Sequence, residues 1–223
     1  MNEKQKQNSA KEALKYVKKG MTLGLGTGST TEFFVKLLAE KNKKENLELT
    51  CVTTSNKTTG LATDLGLRVI GIDLAEKIDL AVDGADQVND KKELLKGMGG
   101  YAFLKEKKVD YKAKKFIVII DESKKNKELT EEILIEVEPA SVTEVLKKLS
   151  EKYDGETIQV SHKCMPLETE NKNYVISVQL HSPIKNAKQL EKELDSISGV
   201  KANGLFTKDC IVIIGTKTGT KTI

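Results

Sequence analysis

Between residues 21 and 121 the chain alternates short apolar runs with stretches of helical period, and this rhythm is its strongest constraint. MTLGL (21–25), LELTCVTT (47–54), RVIGI (68–72), IDLAVD (78–83) and KFIVIID (115–121) read as strands. TEFFVKLLAEK (31–41), SNKTTGLATDLG (55–66) and LKEKKVDYKA (104–113) read as helices between them. A strand, a crossover helix and a further strand pack only as a parallel sheet covered by helices, which defines an α/β layer fold. Ahead of the first strand, Ser9 and Glu12 have the spacing of a capping box, so a helix is expected over AKEALKYVKK, ending at Gly20.

After residue 129 the rhythm changes. ILIEVEP, ASVTEVLKKLSEK, ETIQVSHK, NYVISVQLH, PIKNAKQLEKELDSI and GVKANGLFTK follow as β, α, β, β, α, β. That order is the ferredoxin-like unit of a small α+β domain. DCIVIIGT then adds one more apolar strand that can rejoin the first sheet. The expected architecture is a Rossmann-like parallel-sheet domain, residues 1–129 and 207–223, plus a ferredoxin-like βαββαβ domain, residues 130–206.

Composition removes several classes of function. Thirty-seven basic residues against 33 acidic ones leave a net charge of only +4, and the lysines are interspersed with acids. With aromatics at 4% and no tryptophan, neither a nucleic-acid-binding stripe nor a base-stacking surface is expected. The polar N-terminal segment lacks the apolar core of a signal peptide, and no run reaches the roughly 20 apolar residues of a membrane span. Cys51, Cys164 and Cys210 are isolated and fit neither a disulfide framework nor a zinc site. The expectation is a cytoplasmic protein with reduced thiols, binding neither membrane nor nucleic acid.

Four segments carry candidate chemistry. GLGTGSTT (24–31) places glycines on alternate positions and then hydroxyls at the start of a helix. Thr27, Gly28, Ser29 and Thr30 could surround a phosphate with amides and hydroxyls, or simply make a tight capped turn. The segment is neither a P-loop nor a dinucleotide fingerprint. AVDGAD (81–86) places Asp83 and Asp86 at the carboxyl end of a strand, where open α/β sheets bind ligands. Catalysis or polyol binding, an Asx turn and a magnesium site all fit this pair.

LLKGMGGYAFLKEK (94–107) sets Lys96 on a glycine-rich bend and Glu106 in the helix beyond it. Lys96 could face a developing oxyanion, whereas Glu106 is either a base or one more residue on a solvated face. FIVIIDESKK (116–125) puts Lys124 just past another strand, as an anion contact or a surface lysine. The two histidines, His162 and His181, fall in the second domain, which argues against a histidine-dependent triad or metal site.

Taken in order, GLGTGSTT, TTSNKTT, VDGAD, LKGMGG, LKEKKV, IIDESK and the closing GTKTGTKTI resemble the A-type ribose-5-phosphate isomerase family nearly end to end. The resemblance implies interconversion of D-ribose 5-phosphate and D-ribulose 5-phosphate through an enediolate, in the non-oxidative branch of the pentose phosphate pathway. It implies no metal and no cofactor, and a homodimer or homotetramer. By position it assigns Thr27, Gly28, Ser29 and Thr30 to the phosphate and substrate loop, and Lys6 to the phosphate. Asp83, Gly84, Ala85, Asp86, Lys96, Gly97, Met98 and Gly99 would line the sugar, and Lys124 would contact substrate. Glu106 would be the base, Lys96 the oxyanion partner and Asp83 the ring-opening group.

The chain departs from the family pattern in three places. Met98 interrupts a glycine run, one extra residue lies between Lys96 and Glu106, and Gln87 stands where glutamate is common. The extra residue would turn Glu106 by about 100° unless the Gly97–Gly100 bend absorbs it. Two other readings keep the fold: a sugar-phosphate sensor, which would carry a DNA-binding segment before the first strand, and an amino-sugar phosphate deaminase, which would need a histidine near the site.

Overall fold

The computed structural model describes residues 2–130, 132–153, 157–159 and 168–223. In chain order it opens with α1 (Glu3–Ala13), β1 (Thr22–Leu25), α2 (Ser29–Glu45), β2 (Thr50–Thr53), α3 (Asn56–Asp64), β3 (Arg68–Val69) and β4 (Ile78–Asp83). Next come β5 (Gln87–Val88), β6 (Leu94–Leu95), α4 (Phe103–Lys112), β7 (Ala113–Asp121), β8 (Ile133–Val137), α5 (Val142–Lys152) and β9 (Thr157–Gln159). The chain finishes with β10 (Tyr174–Gln179), α6 (Ala187–Asp195), β11 (Val200–Asn203), β12 (Leu205–Phe206), β13 (Ile211–Gly215) and β14 (Thr220–Thr222).

The chain divides into two compact units. One holds the residues up to Ala85 with Lys105–Lys125 and Lys208–Ile223; the other holds Asp86–Leu104 and Asn126–Thr207.

The first unit is built on a seven-stranded sheet of order β14-β13-β7-β4-β1-β2-β3. Every neighbouring pair from β13 to β3 is parallel, and only β14 runs against its neighbour. The parallel strands therefore follow the doubly wound order, which reverses direction between β1 and β4. Ligands of such sheets bind past the carboxyl ends of the strands at that reversal, and here those ends are Leu25 and Asp83. Phe116 to Ile120 of β7 are all buried, as a strand covered on both faces requires. Leu23, Leu25, Phe34, Leu38, Leu80, Val82, Ile117, Ile119 and Ile213 form one core cluster in this unit.

The second unit carries a four-stranded antiparallel sheet of order β11-β8-β10-β9. Numbered within the βαββαβ run this is 4-1-3-2, the ferredoxin-like arrangement. One stripe of each helix, Val145 and Leu149 on α5 and Ala187 and Leu194 on α6, joins Ile133, Ile135, Ile176 and Val178 in its core. The strand expected over ETIQVSHK is described only at Thr157–Gln159, and His162 and Cys164 lie outside the described residues.

Three local expectations differ from the structure. The second unit is not confined to the expected residues 130–206, because Asp86–Leu104 also group with it. β5 and β6 form a hairpin, and β6 pairs with β12 to make a three-stranded sheet. The Lys96 N–H also donates to the Gly204 carbonyl at 2.9 Å.

The first helix begins at Glu3 rather than at Ser9. Ser9 is fully buried inside it, and its hydroxyl donates back to the Lys6 carbonyl at 3.0 Å. RVIGI is a strand only at Arg68–Val69, after which Ile72–Leu74 turn as a short 3-10 segment.

Candidate active site

At the carboxyl end of β1 the chain turns sharply through Gly26, Thr27 and Gly28 into α2. Gly28 is the N-cap residue with φ 142°, a backbone setting that favours glycine, and no side chain caps the helix. The first amides of a 17-residue helix therefore open beside the Ser29 and Thr30 hydroxyls. The Lys6 ammonium of α1 donates to Ser29 Oγ at 2.8 Å, although 23 residues separate them. A cation, hydroxyls and a helix N-terminus meet at one point, a combination whose charge and free amides suit an anion.

Gly26 explains the remaining spacing of the motif. A Cβ there would overlap Cγ and Oδ1 of Asp83 and stand 2.5 Å from Oδ2, so only glycine lets the loop lie against this carboxylate. Asp83 ends β4 and is fully buried. Its Oδ1 accepts the Gly84 N–H at 2.6 Å and the Thr27 N–H at 3.2 Å. Gly84 and Ala85 continue the bend and are half-buried.

Glu106 sits in the first turn of α4 and is only 4% exposed, so it does not belong to a solvated face. Val109, one turn later on the same face, packs against β1: a Cβ on Gly24 would lie 2.5 Å from Val109 Cγ1. Lys124 closes the short turn after β7, on the sheet edge where β1 and β4 also end. That turn is held by Asp121, whose Oδ1 accepts from the Ser123 N–H at 3.0 Å and from Asn2 Nδ2 at 2.9 Å.

The second unit holds Asp86, Lys96, Gly97, Met98 and Gly99. Asp86 and Lys96 flank the β5–β6 hairpin, and the Asp86 N–H donates to the Leu95 carbonyl at 2.8 Å. Asp86 Oδ2 accepts the Met98 N–H at 2.9 Å. Lys96 is 4% exposed, with its ammonium 5.3 Å from the centre of the Phe206 ring.

Each departure from the family pattern has a local explanation. Met98 offers its backbone amide and is not among the residues with positive φ, so its side chain costs the bend nothing. In the segment where the extra residue is expected, Gly97, Gly100 and Tyr101 all adopt positive φ, and the Tyr101 N–H closes the bend on the Gly97 carbonyl at 2.9 Å. α4 then begins at Phe103 and carries Glu106 inside. Gln87 ties β5 to Thr130, accepting its N–H at 2.8 Å and donating to its Oγ1 at 3.2 Å.

Sequence reasoning gave TTSNKTT no role. Thr54, Ser55 and Thr58 are buried and converge on Thr27, with Oγ–Oγ separations of 2.8, 2.8 and 3.2 Å. The signal was visible as hydroxyls crowded past the end of a strand, but their target is about 30 residues away in sequence and could not be read locally. Burial pushes the Cys51 thiol up to about 12, so it is no nucleophile at neutral pH. His181 is exposed on the second unit. Among the described residues, no group of three or more His, Cys, Asp or Glu side chains is arranged to hold a metal ion, and no helix is long and apolar enough to cross a membrane.

A doubly wound sheet with a glycine-rich, hydroxyl-bearing loop beside a buried carboxylate at its reversal point is the arrangement in which α/β proteins place a ligand. Residues 50–219 match the family model of ribose 5-phosphate isomerase A (phosphoriboisomerase A). Over its whole length the chain is 40% identical to ribose-5-phosphate isomerase A of Methanocaldococcus jannaschii, covering 98% of that protein. The solved structure of the M. jannaschii ribose 5-phosphate isomerase A superposes with a TM-score of 0.91, covering 100% of this chain and 99% of that one. A D-ribose-5-phosphate isomerase solved in complex with phospho-erythronic acid superposes at 0.92, with 37% identity over 99% of this chain and 98% of that one. The chain belongs to the ribose 5-phosphate isomerase A family.

Proposed function

We propose that this chain interconverts D-ribose 5-phosphate and D-ribulose 5-phosphate by proton transfer through an enediolate. The observation that carries the reading is the meeting of Lys6, Ser29 and the α2 N-terminus on the same sheet edge as the buried Asp83. The first group grips the phosphate, and the second handles hydroxyl protons at the other end of a five-carbon sugar.

Glu106 lifts the proton from C2 and returns it to C1, work worth roughly 10²–10⁴-fold in rate for a well-placed base. Asp83 moves the proton between the ring oxygen and the C1 hydroxyl as the furanose opens. Lys96 balances the charge on the enediolate oxygens, Asp86 orients hydroxyls, and Lys124 holds the anionic substrate. Anchoring the remote phosphate uses binding energy to hold C2 against the base. Phospho-erythronic acid, bound by a relative, carries a planar carboxylate beside a phosphorylated polyol, which is the charge pattern of an enediolate phosphate.

The protein works in the cytoplasm as a homodimer or homotetramer. The sensor and deaminase readings are not favoured, because the relatives described above are all isomerases. The test is ribulose 5-phosphate formation from ribose 5-phosphate in EDTA and deuterated water, with product followed by NMR. Turnover is the expected result, with deuterium entering at C1 in the fraction of events where the proton held on Glu106 exchanges with solvent before it is delivered. Binding without turnover would overturn the reading and leave a sensor.

A further inference from the structure

The Thr27 hydroxyl and the three around it form a directed chain. Thr58 Oγ1 donates to the Gly26 carbonyl at 3.0 Å, which commits its only proton. Ser55 Oγ therefore donates to Thr58 Oγ1 at 3.1 Å, and Thr27 Oγ1 donates to Ser55 Oγ at 2.8 Å. Thr54 Oγ1, with Thr27's proton already used, is the donor across its 2.8 Å contact with Thr27 Oγ1. The proton order runs Thr54, Thr27, Ser55, Thr58 and ends on the peptide next to where Thr27 began.

That peptide is held on every side. Its carbonyl, that of Gly26, accepts from Thr58, and its N–H, that of Thr27, donates to Asp83 Oδ1, while the N–H of the preceding peptide, on Gly26, donates to the Val82 carbonyl at 3.0 Å. Ser55 is also the N-cap of α3, accepting the Thr58 N–H at 3.1 Å, so the far end of the chain is anchored in a helix start. Three of the four hydroxyls belong to residues that are buried, and each donates in one direction. A helix cap alone would need only Ser55.

We propose that Thr54, Ser55 and Thr58 are positioning residues: they set the Gly26–Thr27 peptide plane so that its N–H aims the Asp83 carboxylate at the sugar hydroxyls. This rests on the assignment of Asp83 given above. The phosphate grip of Lys6 and Ser29 lies outside the chain of hydroxyls, so the inference separates kcat from KM.

The test measures ribose 5-phosphate kinetics for Thr58→Val, Thr58→Ser and Thr54→Val. Thr53→Val serves as the comparator, because Thr53 bonds Thr59 at 2.6 Å and takes no part in the chain. Thr58→Val, nearly isosteric, strands the Gly26 carbonyl and lowers kcat by about tenfold or more, the scale of a small misplacement at a reacting group, with KM within about threefold. Thr58→Ser restores kcat to within about threefold of the parent, since the hydroxyl returns. Thr54→Val, at the open end, lowers kcat less than Thr58→Val.

Thr58→Val with the kcat of Thr53→Val would overturn the inference, as would a rise in KM alone. Should Thr58→Val fail to fold, Thr54→Val against Thr58→Ser decides: a lower kcat in the first supports the proposal, and parental values in both overturn it. Asp83→Asn in the same assay reports on the underlying reading. Full activity there would remove the role of Asp83, whatever the hydroxyl variants do.

Discussion

Gly215 lies in β13, well along the chain from every candidate catalytic residue, yet adding one methyl there should weaken substrate binding. A Cβ at this position would overlap the carbonyl oxygen of Gln5, and would sit 2.6 Å from its carbonyl carbon and 3.1 Å from the Ser9 nitrogen. All three atoms are backbone of α1, so no side chain can rotate away. Restoring an ordinary contact of 3.4 Å to that carbonyl carbon alone requires α1 to lift by close to 1 Å. Lys6 follows Gln5 on this helix, and its ammonium now stands 2.8 Å from Ser29 Oγ. A shift of close to 1 Å takes that contact past about 3.5 Å, where it no longer counts as a hydrogen bond, although the flexible lysine stem recovers part of the distance.

Gly215→Ala is therefore expected to raise KM for ribose 5-phosphate about three- to tenfold and to cost about 1–3 kcal/mol in stability, the usual range for overpacking. Lys6→Met should raise KM at least about tenfold, since charge-assisted bonds are worth roughly 1.5–3 kcal/mol and 1.4 kcal/mol is tenfold in affinity. Initial velocities over a substrate series give KM, and urea unfolding gives the stability. Parental KM in both variants would refute the link from the α1 seat to the phosphate. An altered KM in Lys6→Met alone would show that α1 tolerates the methyl.

Two further outcomes test the frame around the site. Lys208 donates to the Asp110, Tyr111 and Ala113 carbonyls at 2.9, 2.9 and 2.5 Å, closing the end of the helix that carries Glu106. Lys208→Met should lower unfolding stability by about 1–2 kcal/mol in urea titrations, and no change would show the cap to be idle. The Thr22 N–H on Asp79 Oδ2 at 3.0 Å, aided by Lys77 and Lys114, holds the Asp79 carboxyl below the usual carboxylate range. A depressed carboxylate stabilises the fold above its unfolded value, about pH 3.9, and that contribution is lost as pH falls through its folded value. The stability gap between the parent and Asp79→Asn should therefore be constant above about pH 5 and close below about pH 4; a gap that widens in acid would contradict the assignment.

The parts legible in the sequence were those whose pattern is local. β1, its glycine loop and α2 announce themselves through an apolar run, alternate glycines and a helical period, and Asp83 follows from its place after IDLAV. The 4-1-3-2 sheet could be anticipated because α5 and α6 carry clear one-sided stripes between longer strands. Where the reading failed, the determinant was distant or short. β5, β6 and β12 have two residues each, too few to show a period, so their hairpin and the unit it joins were invisible.

Ser9 looked like a cap because its spacing to Glu12 fits one, whereas tertiary packing extends α1 to Glu3 and buries the hydroxyl. Lys6 on Ser29, and the Thr27 hydroxyl cluster, join residues tens of positions apart that only the sheet order brings together. Glu106 is the sharpest case. KEKK by itself reads as surface, and only the family resemblance singled out Glu106, whose carboxylate is buried in the first turn of α4.

The most direct test is steady-state kinetics of Glu106→Gln, which keeps the size of the buried side chain and removes its basicity. The expected result is a fall in kcat of at least about a hundredfold, with KM within about threefold, because the phosphate grip and the hydroxyl contacts are untouched. A variant that turns over within about twofold of the parent would contradict the account and require another group to move the C2 proton.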